Sequence, residues 1–167
     1  MSPLRLGTLG KGGLYHIRGS GSRELMDSLP VVAGSEWFHY VPLQHPGFIA
    51  TLGNTEFMLF EDDRQTLSNE LLTRADEQTK IYRRDDQILS LDGNWQEPLL
   101  QLCSLNFADV RPGEFIMANM AGVASWFRIP QDVNEALICA CDPSFSHYLY
   151  DIMAEVVDDC SNRVQLT

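Results

Sequence analysis

Apolar residues fall along this chain in short runs and helical stripes separated by turn residues, and each predicts an element. Leu14-Tyr15-His16-Ile17 reads as a strand. Gly19-Ser20-Gly21-Ser22 then opens a helix, with serine as its cap, Leu25, Met26 and Leu29 on its apolar stripe and Pro30 beyond its end. Trp37-Phe38-His39-Tyr40-Val41 is aromatic and β-branched, as strands prefer. After the turn His45-Pro46-Gly47, Phe48–Leu52 and Glu56–Phe60 flank Gly53-Asn54 and predict a hairpin. Glu61, Asp62 and Asp63 precede a helix over about Arg64–Glu77, whose stripe is Leu67, Leu71, Leu72 and Ala75. Acid at that point complements the positive end of the helix dipole.

The second half repeats this order. Ile88–Leu91 predicts a strand, Asp92-Gly93-Asn94 leads into a helix carrying Trp95, Leu99, Leu100 and Cys103, and Pro112-Gly113 turns into a strand at Phe115–Ala118. Val123–Phe127 pairs with Ala136–Ala140 across a longer loop. Pro143-Ser144 starts a last helix with Phe145, Tyr148, Leu149, Ile152, Met153 and Val156 at helical spacing on its buried side. An offset of 74 lays Gly19 on Gly93, Leu25 on Leu99, Met26 on Leu100, Ile49 on Val123 and Leu52 on Trp126; an offset of 79 lays Glu56 on Glu135 and Leu59 on Ile138. The predicted architecture is one α+β domain of two strand-helix-strand-hairpin-helix halves, about residues 1–79 and 85–160, joined by a polar hinge at 80–86. Neither half alone buries much apolar surface, so the two are expected to share a core.

Charge separates halves that the apolar pattern makes alike. The 167 residues carry a net charge of −11. Residues 1–84 hold nine basic and ten acidic side chains, net −1, whereas residues 85–167 hold three and thirteen, net −10. With two lysines, Lys11 and Lys80, the chain lacks the basic footprint of a nucleic-acid binder, and anionic membrane surfaces are disfavoured for the same reason. No apolar run is long enough to span a bilayer and no secretory signal opens the chain, so a cytoplasmic location is expected. Cys139 and Cys141 share one face of an apolar strand and are expected to be buried free thiols. The four histidines and four cysteines lack metal-ligand spacing, and no metal site is expected.

Candidate chemistry is sparse. The runs Gly10-Lys11-Gly12-Gly13 and Gly19-Ser20-Gly21-Ser22 match neither a Walker loop nor a dinucleotide fingerprint and are read as turns and a helix cap. No G-x-S-x-G elbow occurs. Three residues around the second hairpin, Trp126, Arg128 and Glu135, combine an arginine and an acid with an aromatic ring, and are the candidate ligand site for a flat, charged molecule. No catalytic residue is assigned.

Two segments carry a family resemblance. Tyr15–Leu29 resembles the "L-x-G-P-G-A-x-x-L-L" strand-to-helix segment of the aminomethyltransferase superfamily, the folate-binding, glycine-cleavage T-protein-like proteins. Phe48–Leu59 resembles the "V-x-W-L-G-P-D-E-W-L-L" hairpin of its short member, the gamma subunit of heterotetrameric sarcosine oxidase. The order of Cys103–Phe107, Arg111–Phe115, Met120–Val123 and Pro143–Leu149 is similar to that subunit's second half. The resemblance, from about Leu14 to Val157, implies a folate-binding-domain-like fold. It also implies departures from the family's chemistry. The "G-G-I-x-D-D" run of the transferases corresponds to Pro46–Thr51, without a carboxylate, and the "G-Y-T-G-E" loop to Ile129–Asn134, leaving Arg128 and Glu135 beside it. The expected function is therefore a non-catalytic accessory or binding subunit of a sarcosine-oxidase-like, flavin- and folate-dependent complex, with larger oxidase-type subunits or further copies of itself as partners. Two alternatives stay open: a stand-alone aminomethyltransferase-like protein with tetrahydrofolate as its cofactor, and a homo-oligomeric small-ligand-binding module.

Overall fold

The computed structural model describes residues 3–9, 12–31 and 33–164. Its elements run β1 (Arg5–Thr8), β2 (Gly12–Arg18), α1 (Ser22–Asp27), β3 (His39–Pro42), β4 (Gly47–Gly53), β5 (Glu56–Asp62), α2 (Thr66–Arg74), β6 (Lys80–Arg84), β7 (Gln87–Asp92), α3 (Gln96–Leu102), β8 (Phe115–Met120), β9 (Val123–Arg128), β10 (Leu137–Cys141) and α4 (Ser146–Val164). Contacts divide the chain into two units, Gly10–Asp85 and Met1–Leu9 with Asp86–Thr167. Each has one antiparallel five-stranded sheet, ordered β6-β2-β5-β4-β3 in the first and β1-β7-β10-β9-β8 in the second.

The two orders are the same once β6 is matched with β1, so the duplication read from the sequence is a duplication of topology. The matched edge strands come from opposite places in their repeats: β6 follows its helix, whereas β1 precedes everything. Neither strand is foreseen from the apolar pattern. Lys80–Arg84, expected in a polar hinge, is instead the edge strand β6 paired with β2, and its charge is what an edge strand carries to discourage further pairing. Only Asp85 and Asp86 lie between β6 and β7.

Register corrects the predicted equivalences. Ile49 pairs with Leu59 and Leu59 with Tyr15; in the second unit Phe127 pairs with Cys139 and Cys139 with Leu89. Ile49 therefore corresponds to Phe127, and Leu59 to Cys139, in place of Val123 and Ile138. The cause is the length of the connections. Tyr15 to Ile49 spans 34 residues and Leu89 to Phe127 spans 38, so the offset has grown from 74 to 78 before the hairpin; across it, where Asn54 and Thr55 join β4 to β5 and Ile129–Ala136 join β9 to β10, it grows to 80. Since side chains alternate, a slip of one would turn the core set outward.

Helical phase needs a similar correction. Met26 and Leu99 face their cores, while Leu25 is half-buried and Leu100 is 60% exposed, so Met26 and Leu100 are not equivalent. On α4 the buried stripe is Leu149, Met153, Val157 and Cys160; Phe145 and Tyr148 lie exposed. The helix expected over Arg64–Glu77 is the shorter α2, because Gln65 is left-handed and Ala75 extended at its two ends, and Leu72 on it is exposed. Trp37 and Phe38 are exposed turn residues ahead of β3, since Phe38 at φ 57° cannot continue a strand.

The first core gathers Tyr15, Ile17, Met26, Ile49, Phe57, Leu59 and Leu71; the second gathers Leu89, Leu91, Leu99, Phe107, Phe127, Leu137, Cys139, Leu149 and Met153. Among the described residues no helix is long and apolar enough to cross a membrane.

Candidate functional site

Trp126 and Arg128 sit two residues apart on β9 and so share a face, with Phe115 opposite Arg128 on β8 and Ile138 opposite it on β10. Trp126 is only 4% exposed. Its ring stacks on Phe115 with centroids 5.2 Å apart, and its indole N–H donates to Asp86 Oδ2 at 3.0 Å. Arg128 Nη2 donates to the Ala136 carbonyl at 2.8 Å and lies 3.5 Å from Glu135 Oε2. Arginine and acid are thus brought together as the sequence suggests, and they fasten the two ends of the long hairpin loop. The tryptophan is buried between its stacking partner Phe115 and its acceptor Asp86.

The loop so fastened borders an open cleft. Asp92–Gln96, Val110, Pro112 and Ile129–Asn134 line a volume of about 520 Å³. Its shape follows from local chemistry. Gly93, at φ 86°, turns the chain from β7 into α3, and Gly113, at φ 85°, lets the Gln131 side chain pack against it. Trp95 is half-buried beside the cleft and meets Phe107 edge-on at 5.8 Å. None of Trp126, Arg128 and Glu135 lines this space. Reading the sequence residue by residue misses the cleft, although the length of the second hairpin loop is its visible signal. Among the described residues the lining includes Asp92 and Asp132 and no Lys, Arg or His.

The remaining sequence candidates have structural roles. Of the Gly10–Gly13 run, Gly10 and Lys11 lie outside the described residues. The Gly19 and Gly21 amides donate to the Thr55 and Gln78 carbonyls, and a Cβ on Gly19 would come within 2.1 Å of the Gln78 oxygen. No phosphate can enter there. The expected serine cap is absent: Gly21 is the N-cap of α1, without a side-chain hydrogen bond, and Ser22 is buried inside the first turn. Glu61 is fully buried and does meet a helix start, accepting from the Leu67 and Ser68 amides at 2.8 Å each. On β4, Thr51 is buried and donates to the Gly34 carbonyl at 2.7 Å. Cys139 and Cys141 are buried and free, as expected. Desolvation, and secondarily Cys141, push the Cys139 thiol up to about 12, so it stays protonated and poorly nucleophilic at neutral pH. Among the described residues no three His, Cys, Asp or Glu side chains are grouped to hold a metal.

No family model and no curated protein sequence matches the chain. Solved structures do. A chain of the heterotetrameric sarcosine oxidase from Corynebacterium sp. U-96, in complex with pyrrole 2-carboxylate, superposes with a TM-score of 0.80 at 14% identity, covering 95% of this chain and 85% of that one. The fold is T-protein-like. Aminomethyltransferase T of the glycine cleavage system from Bartonella henselae superposes with a TM-score of 0.70 at 14% identity over 91% of this chain. This chain spans 45% of that transferase's length. The T-protein-like fold implied by the strand-to-helix and hairpin motifs is therefore borne out, at an identity that carries the fold alone.

Proposed function

We propose that this protein is a non-catalytic accessory subunit of a sarcosine-oxidase-like, flavin- and folate-dependent amine-oxidising complex. The observation that carries this reading is the match, at a TM-score of 0.80, to a chain of a heterotetrameric oxidase over 95% of this chain and 85% of that one. Two features support it. The strand corresponding to the transferases' acidic run is carboxylate-free from Pro46 to Thr51, which removes the group that transfer chemistry needs. Large apolar side chains also stay in solvent at Trp37, Phe38, Met117 and Val133, as surfaces awaiting a partner do.

The test is native mass spectrometry of the tagged chain recovered from its own cells. The expected species is an assembly with larger, flavin-containing subunits. Recovery solely as a free monomer overturns the reading, and a homo-oligomer favours the self-associating binding module. Titration with tetrahydrofolate, followed by tryptophan fluorescence, is expected to leave the spectrum unchanged. A saturable change would favour the transferase-like alternative.

A further inference from the structure

We propose that the cleft between the Asp92–Gln96 turn and the second hairpin loop binds a small organic cation. Three properties of its lining point to that class. The Asp92 side chain is exposed at the end of β7 and makes no hydrogen bond or ion pair among the described residues. Across the cleft, Asp132 Oδ1 accepts from the Asn134 amide and side chain at 2.9 Å each, which fixes the carboxylate while leaving Oδ2 open. Trp95 adds a half-buried indole, the best of the aromatic partners for an ammonium group.

Among the described residues the lining includes two carboxylates and no Lys, Arg or His; Arg5, opposite Asp92 on β1, and Arg111, between Val110 and Pro112, stand outside it, so the cleft itself favours a cation over an anion. A neutral ligand could hydrogen-bond to those carboxylates but would gain none of the charge attraction that a cation does. The volume of about 520 Å³ lies within the range of ordinary ligand clefts and exceeds what a small ammonium compound needs. The unit that holds the cleft, residues 1–9 and 86–167, carries four basic and twelve acidic side chains, net −8, which raises the local concentration of cations around it. The inference is independent of the accessory-subunit reading, because it concerns one cleft within one unit of the chain.

The test uses the full-length protein and tetramethylammonium chloride, with tert-butanol as the uncharged isostere and sodium chloride at matched ionic strength as the salt control. Saturable NMR shifts at the Asn94, Gln96 and Gln131 side-chain amides, with quenching of tryptophan fluorescence, are expected for tetramethylammonium alone. Asp92→Asn is expected to weaken binding about 2- to 5-fold, and Trp95→Phe by a similar factor. Because Asp92 is exposed and its side chain pairs with none of the described residues, Asp92→Asn keeps the test available even if Trp95→Phe disturbs the core beside Phe107. The proposal fails if no saturable shift appears up to about 100 mM, where an affinity near the weak limit of specific binding would already register. It also fails if tert-butanol shifts the same amides equally, or if Asp92→Asn leaves the affinity unchanged.

Discussion

Removing the carboxylate of Glu61 gives the sharpest test of how the first unit is held together. Helix α2 has no side-chain cap of its own: Gln65, at its N-cap, is left-handed and makes no capping hydrogen bond. The acceptor comes from the neighbouring strand. Glu61 Oε1 accepts from the Leu67 amide at 2.8 Å and from His45 Nε2 at 2.9 Å, and Oε2 accepts from the Ser68 amide at 2.8 Å. Glu61→Ala leaves two buried amides without an acceptor, at about 1–3 kcal/mol each, and the lost attraction to the helix dipole adds about 0.3–2 kcal/mol. His45 is part-exposed and can turn to water, so it adds little. The expected loss is about 4 kcal/mol, a large share of the roughly 5–15 kcal/mol that stabilises an ordinary domain. Glu61→Gln keeps one oxygen and turns an amide donor towards another donor, for an expected loss of about 2 kcal/mol. Urea unfolding followed by circular dichroism reads both losses as a lower midpoint at unchanged slope. Hydrogen exchange at the Leu67 and Ser68 amides should accelerate in parallel. A loss below about 1 kcal/mol for Glu61→Ala, or unaltered protection of those two amides, would refute the argument that a strand carboxylate caps this helix.

Other substitutions test the packing. Gly19→Ala sets a Cβ 2.1 Å from the Gln78 oxygen at φ 131°, and is expected to lower stability by more than about 2 kcal/mol; a urea midpoint within error of the parent would count against it. Met26→Ala should cost about 2–5 kcal/mol and Leu100→Ala less than about 0.5 kcal/mol, and thermal unfolding that gave equal losses would restore the sequence-derived equivalence of the two positions. The raised Cys139 thiol sets a pH dependence. Once pH exceeds the unfolded value near 9, the unfolded chain gives up its thiol proton while the folded chain retains it up to about 12. The stabilisation is therefore complete below pH 9 and lost progressively as pH rises towards about 12. Stability should decline more steeply over that window in the parent than in Cys139→Ala, and parallel declines would show that another group is responsible.

The sequence by itself determined most of the element types and their duplicated order, because apolar spacing and turn chemistry are local properties. The strands at Leu14–Ile17 and Ile88–Leu91 could be placed without a structure, as could Glu61 at a helix start. The edge strands β1 and β6 could not. An edge strand has one hydrogen-bonded neighbour and little buried surface, so Lys80–Arg84 has no reason to look like a strand until β2 is beside it. Register was likewise beyond reach. Whether Leu59 corresponds to Ile138 or to Cys139 depends on how far the longer connections move one strand along another, and that is decided by which pairing buries Phe127 and Cys139 on the same face. The candidate site divides in the same way. The Arg128–Glu135 pair was legible, since both residues flank one hairpin. The burial of Trp126 against Phe115 and Asp86, and the cleft lined by both Asp92 and Asp132, join segments 11 to 40 residues apart, which only the folded sheet brings together.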